Sequence, residues 1–254
     1  MSGFKRPTQV IDLPSKGFIY PKDNPLSSGK IEMKFGSPQE EEILANESFQ
    51  KEGTTLERLI KSLIITPINY DDLIVGDKNA IFIAARVLMF GKNYDLNYLL
   101  PGESEVKPIV VDLTTLKDKV FDESLYVNGK NEFNFKLPNS KVDIGFKLLT
   151  HKDEKDIEQE VTALKKIYKD SDKEVSVSWY YKIVSVDGDR STATIRDFVN
   201  NGLITLDSGP LEKYIYDISP GIEFKFDYTK ENGEILEGLY LPLTTRFFRS
   251  PFLV

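Results

Sequence analysis

The chain holds one histidine and no cysteine, so few side chains are equipped for chemistry and their settings decide what they mean. Without cysteine there is no disulfide, thiolate zinc site, iron–sulfur cluster or cysteine nucleophile. His151 is followed by Lys152, Asp153 and Glu154 at the start of an expected helix. A catalytic or metal-binding imidazole needs a partner that orients it; the neighbouring sequence supplies none, and a solvated helix-start residue is expected. Asp71-Asp72, Asp153-Glu154 and Glu40-Glu41-Glu42 have the side chains for a divalent ion or for paired acid and base work. Each sits at an expected helix start, where the macrodipole favours negative charge without further purpose. Asp187-Gly188-Asp189 opens like a calcium loop, but Phe198 stands where the twelfth-position glutamate belongs. Gly76-Asp77-Lys78 lacks the earlier glycine and the Lys-Ser/Thr pair of a phosphate loop. No catalytic, metal-binding or cofactor-binding residue is assigned.

Two aromatic segments near the ends of the sequence carry a different kind of chemistry, that of contact. Leu13-Pro14-Ser15-Lys16-Gly17-Phe18-Ile19-Tyr20-Pro21 and Leu241-Pro242-Leu243-Thr244-Thr245-Arg246-Phe247-Phe248-Arg249-Ser250-Pro251 are punctuated by proline and too irregular for an amphipathic helix. Proline fixes φ and removes a donor, while rings supply most of the contact energy. Phe18, Tyr20, Arg246, Phe247, Phe248 and Arg249 are therefore the candidate partner-binding residues, the rings giving affinity and the arginines register. The same rings could instead fold back onto the chain's own core, and the sequence leaves both readings open.

Composition narrows the partners. A net charge of -7 over 254 residues argues against broad nucleic-acid binding, which needs a cationic surface to release phosphate counterions. The longest apolar stretch, Ala80 to Phe90, is interrupted by Arg86 and falls short of the roughly 20 residues that span a bilayer. No apolar leader follows Lys5 and Arg6, so the reading is of a protein made in a cytoplasm.

The elements that must position these residues follow from periodicity and caps. Ile31 to Phe35 alternates as a short strand, and Ser37-Pro38-Gln39-Glu40 forms a capping box with proline at the first helical position. A second box, Thr54 to Glu57, leads a helix stopped by Pro67, so two helices joined near Gly53 are expected. A third, apolar nearly all round from Ala80 to Phe90, belongs in the centre of a core. Hairpins are expected around Leu100–Ser104, around Pro138–Ser140 and around Asn232-Gly233. Thr150 caps a long helix, Val175 to Val186 reads as a helix, and short helices cover Ile195 to Val199 and Leu211 to Ile218. The class is α+β, a helix-rich core with several antiparallel β-hairpins. The division is an extended arm over residues 1–30, a helical region and first hairpin over 31–130, a second region over 131–243, and an aromatic tail over 244–254.

Five segments in order resemble the T4-type phage baseplate hub family. They are Leu13-Pro14-Ser15-Lys16-Gly17; Gly76-Asp77-Lys78-Asn79-Ala80-Ile81 with Ala84-Ala85-Arg86 and Gly91-Lys92-Asn93-Tyr94; Val111-Asp112-Leu113; Phe146-Lys147-Leu148-Leu149-Thr150 with Asp153-Glu154; and Leu241-Pro242-Leu243 with Phe247-Phe248. The resemblance implies a non-enzymatic structural or assembly protein of a contractile tail, located in the virion baseplate. Its partners would be other tail or hub proteins, with a homo-oligomer possible and neither nucleic acid nor membrane involved. It also implies two Cys-x-x-Cys-Gly knuckles like those of a zinc ribbon, and this chain departs there. The matching stretches are Leu100-Pro101-Gly102-Glu103-Ser104 and Thr229-Lys230-Glu231-Asn232-Gly233, so all four ligand positions lack sulfur. Four-coordinate zinc needs all its ligands, and the expectation is two docked hairpins held by turn chemistry and packing, without metal. The alternatives are a tail-assembly chaperone absent from the mature virion and, from another class, a metal-dependent hydrolase.

Overall fold

Pairing begins within the segment expected as a free arm. Strand β1 (Thr8–Asp12) lies antiparallel to β2 (Lys30–Lys34), with Ile11 opposite Ile31 and Gln9 opposite Met33. A computed structural model of the chain, which describes residues 4–127, 129–167, 173–242 and 247–248, gives an α+β architecture of small antiparallel sheets set around helices. Between β1 and β2, Leu13, Ile19, Tyr20 and Leu26 are buried, which corrects the expectation of an extended arm over residues 1–30. A run of successive turns from Leu13 to Asn24, followed by a 3-10 turn over Pro25–Ser28, replaces it. Gly17 adopts φ 81 and its backbone passes so close that a Cβ there would lie 2.4 Å from the Ser27 carbonyl oxygen. Only glycine meets both demands.

Helix α1 (Pro38–Ala45) opens on the expected capping box of Ser37 and Glu40. The Asn46 side chain then accepts from the N–H groups of Ser48 and Phe49 and restarts the chain as α2 (Glu47–Lys51), ahead of α3 (Thr55–Leu63). Two expected helices are thus three. The second box does not form, because Thr54 is already helical (φ -96, ψ -3) and its hydroxyl offers no cap. Helix α4 (Val75–Phe90) is central as expected, burying Ala80, Ile81, Ile83, Ala85 and Leu88. Its first turn presses on the backbone of Pro220, whose carbonyl oxygen would stand 1.9 Å from a Cβ at Gly76.

Strands β3 (Asn93–Leu99) and β4 (Val106–Asp112) form the first expected hairpin. Strands β5 (Phe133–Lys136) and β6 (Asp143–Phe146) form the second, and β7 (Ile183–Val186) joins its edge in the order β5-β6-β7. Helices α5 (His151–Ile167) and α6 (Glu174–Lys182) lie between β6 and β7. The helix expected over Val175 to Val186 therefore ends at Lys182. Ile183 and Val186 are better buried as strand residues, with Val186 opposite Ile144.

Helix α7 (Thr192–Asp197) runs into a π turn over Phe198–Gly202, and α8 (Thr205–Ile218) starts well before the expected Leu211. It passes through Pro210, which has no N–H for the Leu206 carbonyl one turn back. The side-chain amide of Asn139 donates to that carbonyl at 3.0 Å, so the gap in the ladder is filled from another element. Strands β8 (Lys225–Thr229) and β9 (Ile235–Tyr240) make the last hairpin.

The β3–β4 and β8–β9 hairpins share no ladder but touch through side chains, the Tyr98 ring meeting Phe226 edge-on at 5.6 Å between centroids. Charge reaches from tip to tip as well. The Lys107 ammonium is held protonated above its ordinary range mainly by its bond to Glu103, and Glu231 of the other tip adds to the effect. Among the described residues no helix is long and apolar enough to cross a membrane.

Candidate functional site

The candidate anchor residues turn inward. Tyr20, Phe247 and Phe248 are all buried, while Phe18 is half-buried with its ring 6.4 Å from that of Tyr126. Phe247 stacks on Phe82 of α4 at 5.2 Å and meets Tyr94 of β3 edge-on at 4.9 Å; Phe248 meets Phe82 edge-on at 4.8 Å. In this conformation all three rings are core residues, Phe247 and Phe248 against the aromatic side chains of α4 and β3 and Tyr20 through its hydroxyl against the start of α4. Arg246 and Arg249 lie outside the described residues.

The segments that carry the family resemblance meet one another in space. Asp77, in the first turn of α4, is fully buried and faces the first of them: the Ser15 N–H donates to it at 2.9 Å, the Ser15 hydroxyl at 2.6 Å and the Tyr20 hydroxyl at 2.7 Å. Tyr20 in turn accepts from the N–H of Ile74 at 3.1 Å. Burial pushes the Asp77 carboxyl above its usual range, and these donors oppose the shift. At the other end of α4 the buried Arg86 donates to the carbonyls of Gly91 and Asn93, at 3.2 and 3.3 Å, tying helix end to the start of β3. A cation at a helix C-terminus also complements the macrodipole. Before α5, the Thr150 N–H and hydroxyl each donate to Asp153 at 2.9 Å, and Lys147 reaches the same carboxylate at 2.7 Å. These marks are locks of the fold, and they explain why the order of motifs is legible while no reaction is.

The sequence does not single out a further buried acid. Asp207, in the first turn of α8, accepts from the backbone N–H of Asn139 at 2.8 Å and of Ser140 at 2.9 Å. Burial alone would raise its pKa, but these bonds outweigh it and hold the carboxyl down at about 2. The tight Pro138-Asn139-Ser140 turn was visible in the sequence; its acceptor, nearly seventy residues on, was not.

His151 is far from the solvated position expected. Its side chain is 13% exposed, its ring meets Tyr70 edge-on at 4.7 Å, and Nε2 lies 3.3 Å from Glu57 and Nδ1 3.5 Å from Glu154. Glu57, Asp71 and His151 together offer three ligand atoms within 4.8 Å of one another, beside a cleft of about 470 Å³. Each carboxylate around the ring, however, already has its own ammonium: Lys61 on Glu57 at 2.5 Å, Lys155 on Asp71 at 3.3 Å and Lys78 on Glu154. Three cations balance three anions, so a divalent ion entering here would have to displace lysines. The geometry suits a charged lock joining α3, α4 and α5 better than a metal centre.

What the molecule leaves open is a surface. In the β3–β4 hairpin Tyr94, Leu96, Ile109 and Val111 face inward, and by strand alternation Leu99, Val106 and Val110 face out, at 54%, 59% and 55% exposure. Leu99 and Val106 are cross-strand partners, and exposed Pro108 stands between Val106 and Val110. Among the described residues β3 and β4 pair only with each other, and the outward face carries an apolar stripe along β4 with Asp95 and Asn97 opposite it on β3.

Comparison with known proteins completes the picture. No curated protein and no solved structure matches the chain. The sequence model of the family described as T4 bacteriophage base plate protein matches residues 17–207, about three quarters of the length. That span includes Asp77 and its partner Tyr20, the Arg86 clamp and the Thr150–Asp153 cap described above, while Ser15 lies just before it. The chain belongs to the T4 bacteriophage base plate protein family.

Proposed function

We propose that this baseplate protein is a non-enzymatic structural or assembly component of the hub of a contractile phage tail, and that it works by binding neighbouring tail proteins. The observation that supports binding is the outward face of the β3–β4 hairpin, where Leu99, Val106 and Val110 are more than half exposed on strands that, among the described residues, join no other strand. Such a face suits a strand or loop of another baseplate protein, which would bury the apolar stripe and continue the ladder. Phe18, which keeps part of its ring at the surface, and Arg246 and Arg249 stay in the proposal as further contacts; Tyr20, Phe247 and Phe248 are needed inside.

Replacing Val106 and Val110 together by lysine tests this reading. Both side chains are exposed, so the purified variant is expected to melt within a few degrees of the parent, while infections that depend on it yield few complete tails. A normal yield of complete tails would remove the hairpin from the interface. Quantitative mass spectrometry of purified virions then separates the two forms of the proposal. A fixed copy number per particle identifies a structural subunit, whereas absence from infectious particles identifies an assembly chaperone.

A further inference from the structure

A second cleft, of about 500 Å³, opens between the first turn of α4, the end of α8 and the chain leading into β8. Its apolar lining includes Ile74, Leu149, Ile215 and Phe224. Lys119, Lys147, Lys182 and Lys225 also line it, against a single carboxylate among the lining residues, Glu223. Four lysines line this cleft in a chain whose net charge is -7, although Lys147 is already paired with Asp153 at 2.7 Å.

Two of these cations are only weakly compensated. The Lys182 side chain is 18% exposed, and its carboxylate partner, Glu212, stands 3.8 Å away and is itself 69% exposed. The Lys182 ammonium lies 4.8 Å from the centre of the Trp179 ring. Lys119 donates to the Tyr216 carbonyl at 2.6 Å and sits 3.6 Å from the centre of that residue's ring. Burial lowers the pKa of both lysines, so an arriving anion would relieve a cost that the fold carries. On the same wall stands the first turn of α4, whose N-cap residue Ile74 offers no side-chain cap and whose Val75 N–H donates to the Leu149 carbonyl at 3.0 Å.

We propose that this cleft docks a short extended segment of a neighbouring baseplate protein, one that carries an apolar side chain within a few residues of a carboxylate. The apolar group fills the floor and the carboxylate meets the ammonium groups of Lys119 and Lys182. The chain's own residues 243–254 are the wrong occupant by charge, since they would bring Arg246 and Arg249 to a site that is already cationic. That the partner is a baseplate protein rests on the function proposed above; the chemistry of the cleft does not.

Two measurements keep those parts separate. In the first, the purified full-length chain is titrated with 1-anilinonaphthalene-8-sulfonate, an aromatic anion, and with its neutral parent N-phenyl-1-naphthylamine. The double variant Lys119→Gln, Lys182→Gln is expected to bind the anion about tenfold more weakly and the neutral dye within about twofold of the parent. Equal changes for both dyes, or no change for either, would overturn the cleft's chemistry; circular dichroism and the melting temperature of the variant exclude misfolding as the cause. In the second, a photo-crosslinking residue replaces Tyr240, which lines the cleft, and the crosslinked peptide is mapped from infected cells. A segment of another tail protein with an aspartate or glutamate close to an aliphatic or aromatic residue supports the proposal. Crosslinks to a neutral or basic segment, to residues 243–254 of the same chain or to a second copy overturn the assigned occupant. Anion preference without any crosslink to a tail protein overturns the baseplate partner alone and sustains the site.

Discussion

At the scale of single residues, buried carboxylates do the most specific work, and two of them do it in opposite ways. Asp77 is held by Ser15 and Tyr20 with no cation among its described partners, and its pKa is raised; Asp207 is held by two backbone N–H groups, and its pKa is lowered to about 2. The difference has a measurable sign. A carboxyl whose folded pKa lies below its unfolded value of about 3.9 contributes stability above that value and loses it as pH falls towards the folded pKa. Asp207 should therefore stabilise the fold at neutral pH and progressively less between about pH 4 and about pH 2. Asp207→Asn is expected to lower the urea midpoint at neutral pH, and its deficit relative to the parent should shrink across that acid window. A deficit that stays constant with pH would mean that the bonds to Asn139 and Ser140 do not depend on the charge. Asp77 carries the reverse linkage, since its raised pKa makes its contribution largest below the unfolded value and lost as pH rises through the folded one.

At the scale of elements, the structure depends on close approaches that local sequence cannot announce. The Gly76 contact with Pro220 joins the first turn of α4 to the chain that leads into β8, across more than 140 residues. Helix propensity alone would favour Gly76→Ala by about 1 kcal/mol. A Cβ at 1.9 Å from a carbonyl oxygen forces a backbone shift, so the expected result is destabilisation of roughly 1–3 kcal/mol by chemical denaturation. A gain in stability would show that the approach relaxes freely. The same contrast between local and distant signals explains what was readable. The hairpins, the Ser37–Glu40 box and the buried α4 followed from alternation, turn residues and periodicity. The split of Val175–Val186 into α6 and β7 did not, because β-branched residues fit either form until β6 offers an edge. The early start of α8 was hidden by Pro210, whose defect is mended by Asn139. The candidate contact residues were the least legible, since a ring's composition is the same whether it anchors a partner or closes its own core. The lysine cleft gave no signal at all, its cations being scattered from Lys119 to Lys225.

At the scale of the whole molecule, the two aromatic segments are seams that draw its parts together. Phe247 is 1% exposed against α4 and β3, and Tyr20 joins the first turns to the start of α4. Truncating a ring so fully buried removes its transfer energy and leaves a cavity, so Phe247→Ala is expected to cost the isolated protein about 3–5 kcal/mol. A ring serving only a partner would leave the melting temperature of the isolated chain unchanged, and that outcome would return Phe247 to the interface. The seams also bear on how the chain reaches its fold. Ser15 waits for Asp77, Leu73 for His151, Asn139 for Asp207 and Lys119 for Gly221, each closing a loop of roughly 60 to 100 residues. Contacts so distant in sequence place folding on the slow side for a domain of this size. The outward stripe of the β3–β4 hairpin, with Leu99, Val106 and Val110 more than half exposed, is thus open during a long search as well as after it, and a crowded infected cell would select for whatever covers it early.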